Sequence, residues 1–240
     1  MDLFNFSVVL DYWPMFLKGL GLTVLLTVIV FSLSAVLAIP VALAQLSRFR
    51  LVRALAHVYV EVMRGTPVIL QLIYVYYVFP LMGIKVAPFS AAVIGLSMSM
   101  IAYLSEVYRG GINGIAQGQR EAAAAMGMSE FQAFRRVILP QAIRLTLPSL
   151  GNYLIALFKD SALASVVTLQ ELMFAGQIIA VRNYEYFTVY TICGVLYLAV
   201  SYPCALLVRR LEKRTQGGYR RKVTRAAPDA QGSAVGEIND

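Results

Sequence analysis

The stretch EAAAAMGMSEFQAFRRVILP, Glu121–Pro140, decides the fold of this chain, because it is a polar segment set between two long apolar runs. Its alanine block, residues 122–125, favours helix, since alanine loses almost no side-chain entropy there. The same block carries little side-chain bulk, so another protein can approach its backbone closely. Gly127 is suited to end this helix, and a second amphipathic helix is predicted from Ser129. The stretch therefore predicts a cytoplasmic helix–turn–helix loop that docks on a partner.

Glycines and prolines are predicted to bound this loop. Gly110 and Gly111 are expected to end the apolar helix that precedes it. Pro140 and Pro148 are expected to break the chain before it re-enters the membrane, because proline removes a backbone donor and clashes with the preceding turn. The loop is therefore placed at residues 109–147.

The spacing within the loop resembles the EAA loop of the permease subunits of bacterial ABC importers. That motif consists of Glu-Ala-Ala, three residues, Gly, nine residues, Ile, one residue and Leu-Pro. Val137 occupies the Ile position, which is a conservative departure. The resemblance implies a coupling role for the residues that match the motif: Glu121, Ala122, Ala123, Gly127, Leu139 and Pro140.

Composition and charge spacing indicate an all-α membrane protein. Of the 240 residues, 59% are hydrophobic and 14% are charged, whereas about a quarter of a typical soluble domain is charged. A helix needs about 20 mostly apolar residues to cross a bilayer. Five such spans are predicted, four from uncharged runs and the fourth in chain order interrupted by two charges: about 19–44, 65–84, 86–105, 144–171 and 186–208.

The distribution of basic residues predicts the orientation. Arginine and lysine cluster after the first, third and last spans, while the opposite side holds only Lys18, Lys85 and Arg182. By the positive-inside rule, the N-terminus lies outside and the C-terminus in the cytoplasm. The same rule accounts for the net charge of +8 without nucleic acid, for which the chain offers no aromatic-rich basic groove.

Three regions follow from these patterns. Residues 1–18 are rich in aromatic side chains and are predicted to lie on the outer membrane interface. Residues 19–212 are predicted to form the transmembrane domain. Residues 213–240 contain few apolar side chains and are predicted to be a disordered cytoplasmic tail whose basic half contacts anionic lipid.

The fourth span carries charge near its middle. Lys159 and Asp160 are adjacent, and neighbours on a helix point about 100 degrees apart, so they do not simply neutralise each other. A charge at the bilayer centre costs several kcal/mol unless it is paired or faces water. Ser161 and Ser165 follow and are predicted to form a polar stripe on one face. These residues are therefore candidates for the lining of a translocation pathway.

Three further polar residues belong to the candidate pathway, with a structural alternative for the charged ones. Arg64 directly precedes the second span, Gln71 lies within it, and Glu106 lies near the inner end of the third. Glu61 and Arg64 are three residues apart and are predicted to form an interfacial pair. Glu106 is predicted to pair with Arg109 as a clamp, with a place in the inner vestibule as the alternative.

Three stretches resemble the permeases of polar amino acid ABC importers: YVEVMRGTPVILQLIYVYY at 59–77, AYLSEVYRGGI at 102–112 and KDSALAS at 159–165. The resemblance covers about residues 13–214. It implies a type I importer permease fold, pairing with a second copy or a paralogue, two ATP-binding cassette ATPase subunits, and an extracytoplasmic substrate-binding protein. It also implies residence in the bacterial inner membrane.

The chain is predicted not to be an enzyme and to bind no cofactor. It contains no G-x-x-x-x-G-K-[ST] phosphate loop, so ATP is expected to be used by the partner ATPases. With one histidine and two separated cysteines, it offers no metal or redox cluster. The alternative function is a stand-alone ion-coupled transporter, with Lys159, Asp160 and Glu106 carrying protons, although such folds usually contain an internal repeat.

Overall fold

A computed structural model describes residues 4–225, with side chains up to residue 213. Within that range the chain is helical and contains no β-strand. Its α-helices are α1 (Phe6–Gln45), α2 (Arg50–Gly65), α3 (Val68–Ile73), α4 (Pro88–Asn113), α5 (Gln117–Ala125), α6 (Glu130–Ala133), α7 (Leu139–Asp160), α8 (Leu172–Asn183) and α9 (Tyr186–Arg225).

Four helical units are long and apolar enough to cross a membrane: Phe6–Gln45, Pro88–Asn113, Glu130–Val167 and Tyr186–Lys213. A fifth crossing is reached only if α2 and the helical unit Val68–Met82 count as one span, and these two are bent by 101°. The predicted all-α architecture is confirmed, and the bend falls at the start of the second predicted span, between Gly65 and Val68. The orientation of the termini stays a prediction.

The first helix begins earlier than the predicted first span. α1 starts at Phe6 and continues without interruption through Gly19, although the sequence assigned residues 1–18 to a separate segment. Pro14 lies inside it. The interfacial position of residues 4–18 stays a prediction, and residues 1–3 lie outside the described part of the chain.

Pro140 and Pro148, at the end of the predicted loop 109–147 (the docking loop), do not break the helix, so this expectation was wrong. A π-helical turn, Phe134–Ile138, joins α6 to α7, with Pro140 in the first turn of α7 and Pro148 inside it. The wider π-helical turn accommodates the proline ring and its missing donor. The second helix of the loop is therefore continuous with the fourth span.

The expected helix end at Gly110 and Gly111 was also wrong, because α4 continues to Asn113. A Cβ atom on Gly111 would lie 2.3 Å from Cγ2 of Thr146 in α7. The glycine therefore permits close packing of α4 against α7 rather than a chain reversal.

The buried core lies between α1, α3, α4, α7 and the 3₁₀ segment Ser161–Val167, where Leu26, Leu72, Leu104 and Leu157 are fully or almost fully buried. A second cluster joins α1, α8 and α9 around Phe16, Leu172 and Ile179. At its C-terminal end, α9 extends to Arg225, past the predicted tail boundary at residue 213. Residues 226–240 of the predicted tail lie outside the described range.

Candidate functional site

The docking loop is a short helix, a tight turn and a second helix. α5 ends at Ala125, and Gly127 takes a left-handed conformation with φ of +73°. The N–H of Gly127 donates to the carbonyl of Ala124 (2.9 Å) and that of Met128 to Ala123 (3.1 Å), which is the Schellman arrangement of a helix C-terminus. The predicted role of Gly127 in ending the first helix is thus confirmed.

A capping box begins the second helix. The Ser129 hydroxyl accepts from the N–H of Gln132 (3.3 Å), and the Gln132 side chain accepts from the N–H of Ser129 (3.1 Å). Both bonds satisfy donors at the helix start. The predicted helix start at Ser129 is therefore confirmed, and the turn is fixed from both sides.

The loop is anchored on one face and open on the other. Ala123 is 1% exposed, and Arg120 donates to the carbonyl of Ile112 at the end of α4 (2.9 Å). Met126 and Phe131, by contrast, are 67% and 70% exposed. Of the predicted coupling residues, Ala123 faces inward and Leu139 is half-buried. The others are exposed: Glu121, Ala122, Gly127 and Pro140.

Glu106 is the centre of a polar cluster that joins three helices. Its carboxylate accepts from Gln45 at the end of α1 (2.7 Å) and from both Nε and Nη2 of Arg109 in α4 (2.9 and 2.7 Å). Arg64 at the end of α2 lies 3.8 Å away. The predicted Glu106–Arg109 pair is confirmed. Arg64 lies within ion-pair distance of Glu106 and not of Glu61, so the expected Glu61–Arg64 pair was wrong.

Two tyrosines extend this cluster toward α7. The Arg64 guanidinium lies 5.6 Å from the ring centre of Tyr103, and the Tyr103 and Tyr153 rings are 5.6 Å apart. Beside Glu106, a cleft of about 300 Å³ opens between α4 and α7, lined by Gly110, Gly111, Leu145, Thr146 and Ser149. The polar cluster therefore borders an open cleft between two of the membrane-length helices.

Gln71 has a structural role that the sequence did not indicate. Its side chain is 7% exposed, and its amide nitrogen donates to the carbonyl of Met63 (2.9 Å) and the hydroxyl of Thr66 (3.0 Å). Both acceptors lie at the bend between α2 and α3. The side chain thus supplies a donor to the end of α2.

Lys159 and Asp160 end α7, and both are exposed. Ser161 begins a 3₁₀ segment, is fully buried, and donates to the carbonyl of Phe158 (2.7 Å). Since a 3₁₀ helix has three residues per turn, Ser161 and Ser165 do not share a face, and the predicted polar stripe was wrong. In the described structure, no hydrogen bond or ion pair joins this group to the Glu106 cluster.

Glu171, which was not predicted as a site residue, is fully buried at the N-terminus of α8. Oε1 accepts from the N–H of Phe174 (2.8 Å), and Oε2 from the N–H of Met173 and the hydroxyl of Tyr197 (both 2.9 Å). Thr23 in α1 donates to Oε2 at 3.3 Å. Burial raises the pKa of Glu171, and these hydrogen bonds oppose the rise. A lone carboxylate directly before an apolar helix was the available signal.

Comparison with known proteins identifies relatives of this architecture. Residues 34–217 match the family described as "Binding-protein-dependent transport system inner membrane component". The "Probable amino-acid ABC transporter permease protein YckA" of Bacillus subtilis (strain 168) is 36% identical over 212 residues, covering 88% of this chain and 94% of that protein. The "L-cystine transport system permease protein TcyB" of the same organism is 37% identical over 205 residues, covering 85% and 88%.

A solved structure shares the fold. The "Crystal structure of an amino acid ABC transporter with histidines" superimposes with a TM-score of 0.84 at 34% sequence identity, covering 88% of this chain and 98% of that one. The similarity covers the helices that hold the docking loop, the Glu106 cluster and the α7 charges.

Proposed function

Since this chain belongs to the family of binding-protein-dependent transport system inner membrane components, we propose that it forms half of the translocation pathway for a polar amino acid or a similar small solute. Family membership makes it a multi-pass permease subunit of an ABC importer in the inner membrane, and not an enzyme. The stand-alone ion-coupled carrier that the sequence left open is not supported by these relatives.

The docking loop carries this proposal. α5 presents an exposed alanine face and Met126 beside a turn that is fixed by Gly127 and by the Ser129 capping box. A rigid, small-residue helix that projects beside a fixed turn suits insertion into a cleft on an ATPase. The residues proposed for this contact are Glu121, Ala122, Ala123, Gly127, Leu139 and Pro140, with Ala123 and Leu139 acting through the packing of the loop.

The loop is rigidly connected to the membrane helices. Arg120 ties α5 to the end of α4, and the π-helical turn joins α6 to α7 without a break. A movement imposed on α5 by closure of the ATPases would therefore reach both helices. In this proposal ATP binding closes two ATPase subunits, which draws the two docking loops of a permease pair together and swings the helices between two states. ATP is bound and hydrolysed by those partners.

The pathway is proposed to follow the polar groups of α4 and α7. Lys159 and Asp160 are exposed within a membrane-length helical unit, where a charge is costly unless it meets water, a partner or a substrate. Glu106 borders the open cleft between α4 and α7, and Arg64 of α2 lies 3.8 Å from its carboxylate. Ser161 and Gln71 are buried, and their side chains donate to backbone carbonyls, that of Phe158 in α7 and that of Met63 in α2, respectively. A second copy or a paralogue closes the pathway, and a substrate-binding protein delivers the solute.

The turn at Gly127 gives the direct test. Gly127→Ala forces a left-handed conformation on a residue with a side chain, at a cost of about 1–2 kcal/mol, and we expect solute uptake with the partner ATPase to fall several-fold. Gly118→Ala is the matched control. Gly118 lies in α5 and, like Gly127, is exposed with open space around it, but it has no positive φ. Uptake is measured in vesicles at equal amounts of inserted protein. Equal uptake by the two variants would remove the coupling role of the turn.

A further inference from the structure

Helix α2 lies at nearly a right angle to the helical unit that follows it. Its axis is bent by 101° from that of the helical unit Val68–Met82. This unit is about 22 Å long at 1.5 Å per residue, which is shorter than the hydrocarbon core of about 30 Å. With this unit taken as the second predicted span, a helix that leaves it at nearly a right angle runs across the membrane direction and not along it.

The bend is built into the fold. Thr66 is extended (φ −106°, ψ 140°) before Pro67, the conformation that a following proline favours. The Thr66 hydroxyl donates to the carbonyl of Val62 (2.9 Å), and Gln71 donates to that of Met63 (2.9 Å). In a membrane, irregular backbone is tolerated where such donors are supplied. The carbonyls released at the end of α2 are therefore satisfied in this bent state.

The side chains of α2 fall into three stripes at helical spacing. Ala56 and Val60 are buried against the bundle. An apolar stripe is open, with Leu51, Leu55, Val58 and Val62 at 71%, 63%, 60% and 48% exposure. A polar stripe runs along the other edge, formed by Arg50, Arg53, His57, Glu61 and Arg64. A helix with one open apolar face beside a basic edge is typical of one lying in a membrane interface.

Contacts place both ends of α2 toward one end of the bundle, and the Tyr59 hydroxyl between them reaches inward to the carbonyl of Met98 in the middle of α4 (2.8 Å). Residues 52, 55 and 56 line a groove with Pro40, Val41 and Ala44 in the last turns of α1. Arg64 meets Glu106, which also holds Gln45 at the end of α1. The docking loop leaves from this same end, since α4 leads into α5. α2 therefore lies on the side of the docking loop and away from the loop at residues 83–87.

We propose that α2 lies in the plane of the membrane on the docking-loop side, as a binding surface for anionic phospholipid. Leu51, Leu55, Val58 and Val62 enter the acyl chains. Arg50 and Arg53 contact the lipid phosphates. The charge pattern favours anionic phospholipid. Three exposed arginines, Arg48, Arg50 and Arg53, lie at or just before the start of the helix, and its first acidic residue is Glu61.

The depth of the apolar stripe tests this placement. Single nitroxide labels are placed at residues 51, 55, 58 and 62 of a variant without cysteine, and their accessibility to oxygen and to a nickel chelate is measured in lipid nanodiscs. An in-plane helix gives one depth for all four labels. A spanning helix changes depth by about 16 Å between residues 51 and 62. Labels at Val28, Val36 and Leu43, which are exposed along the membrane-length helix α1, are the control and should show the change of depth that a spanning helix gives. This readout does not depend on transport.

Two outcomes would overturn the placement. One is a steady depth gradient along α2, which would make it part of a span. The other is protection of all four labels from oxygen, which would show that a second copy or another protein covers the stripe. To exclude an effect of removing the cysteines, the labelled variants must elute from size exclusion as the unmodified protein does.

The lipid preference is tested separately. Arg50→Gln with Arg53→Gln is expected to weaken the binding of phosphatidylglycerol by roughly fivefold per arginine, as measured by lipid titration of the detergent-purified protein. Arg135→Gln with Arg136→Gln is the matched control, because these arginines are also adjacent to the bundle and exposed. An equal effect of the two pairs, or no effect of either, would overturn the assignment of anionic lipid to α2.

Discussion

At the scale of single residues, three carboxylates of this chain, Glu106, Glu171 and Asp160, lie in different environments. Glu106 is held by two arginines and an amide from three helices. Glu171 is fully buried and accepts hydrogen bonds from backbone and hydroxyl donors. Asp160 is exposed at the end of α7 and makes no salt bridge within the described structure. The first two stabilise the fold, and the third is available to a solute or a second subunit.

Asp160 is expected to act on transport without affecting assembly. A hydrogen bond to a charged group is worth about 1.5–3 kcal/mol, so Asp160→Asn should raise the apparent KM for uptake roughly tenfold or more. The complex with the partner ATPase should be retained. Asp11→Asn, an exposed aspartate in α1, is the control. Unchanged uptake kinetics of Asp160→Asn would place Asp160 outside the pathway.

Glu171 predicts a pH dependence of stability. Burial raises its pKa above the ordinary value of 4.5, so the folded protein retains a proton that the unfolded chain has released. The contribution of Glu171 is therefore fully present below pH 4.5 and is lost as pH rises through the raised value. Glu171→Gln should remove this dependence of stability on pH. The loss of hydrogen-bond acceptors should also lower the free energy of unfolding by about 1–3 kcal/mol.

Thermal unfolding in detergent, followed across a pH series, measures this effect. Glu130→Gln is the control, because Glu130 is exposed at the start of α6. A slope that survives in Glu171→Gln would assign the pH dependence to another group.

At the scale of helices, the sequence correctly predicted the helix ends that are determined by neighbouring residues. The end of α5 at Gly127 and the start of α6 at Ser129 follow from capping chemistry within a few residues. Gly111 and Pro140 were misinterpreted, because distant contacts decide them. Gly111 is needed for the approach of Thr146, and Pro140 follows a π-helical turn whose width no local rule indicates.

The bend after α2 shows the same limit. RGTP marks a break at Pro67, but composition does not give its angle. The angle depends on Gln71 and Thr66 meeting the end of α2 and on Arg64 meeting Glu106 in α4. The charged end of α2 is thus set by a residue far along the chain, whereas the sequence indicated only that a new helix starts or kinks at Pro67.

At the scale of the whole molecule, the open surfaces indicate an assembly. Large apolar side chains are exposed along α1, α2 and α9, as expected where lipid or another membrane subunit covers them. The docking loop is exposed at one end. Together with the exposed charges of α7, these surfaces are the ones that the proposed assembly with a second permease, two ATPases and a binding protein would cover.

The candidate pathway is the least predictable part of the site from sequence. The local charge pattern located Lys159 and Asp160, but the helix type that begins at Ser161 depends on how this segment packs against α3 and α8. In the proposed pair, the second permease supplies the facing wall of the pathway, and the periodicity of this chain carries no information about that wall.

The most direct measurement is solute uptake by purified, vesicle-reconstituted protein, with and without the ATPase that co-purifies with it. The chain is isolated in mild detergent, and its partners are identified by mass. We expect an ATPase with a phosphate-binding loop to co-purify, and uptake to require that ATPase, ATP and the binding protein. Uptake by this chain alone, driven by an ion gradient in vesicles without ATP, would contradict the account.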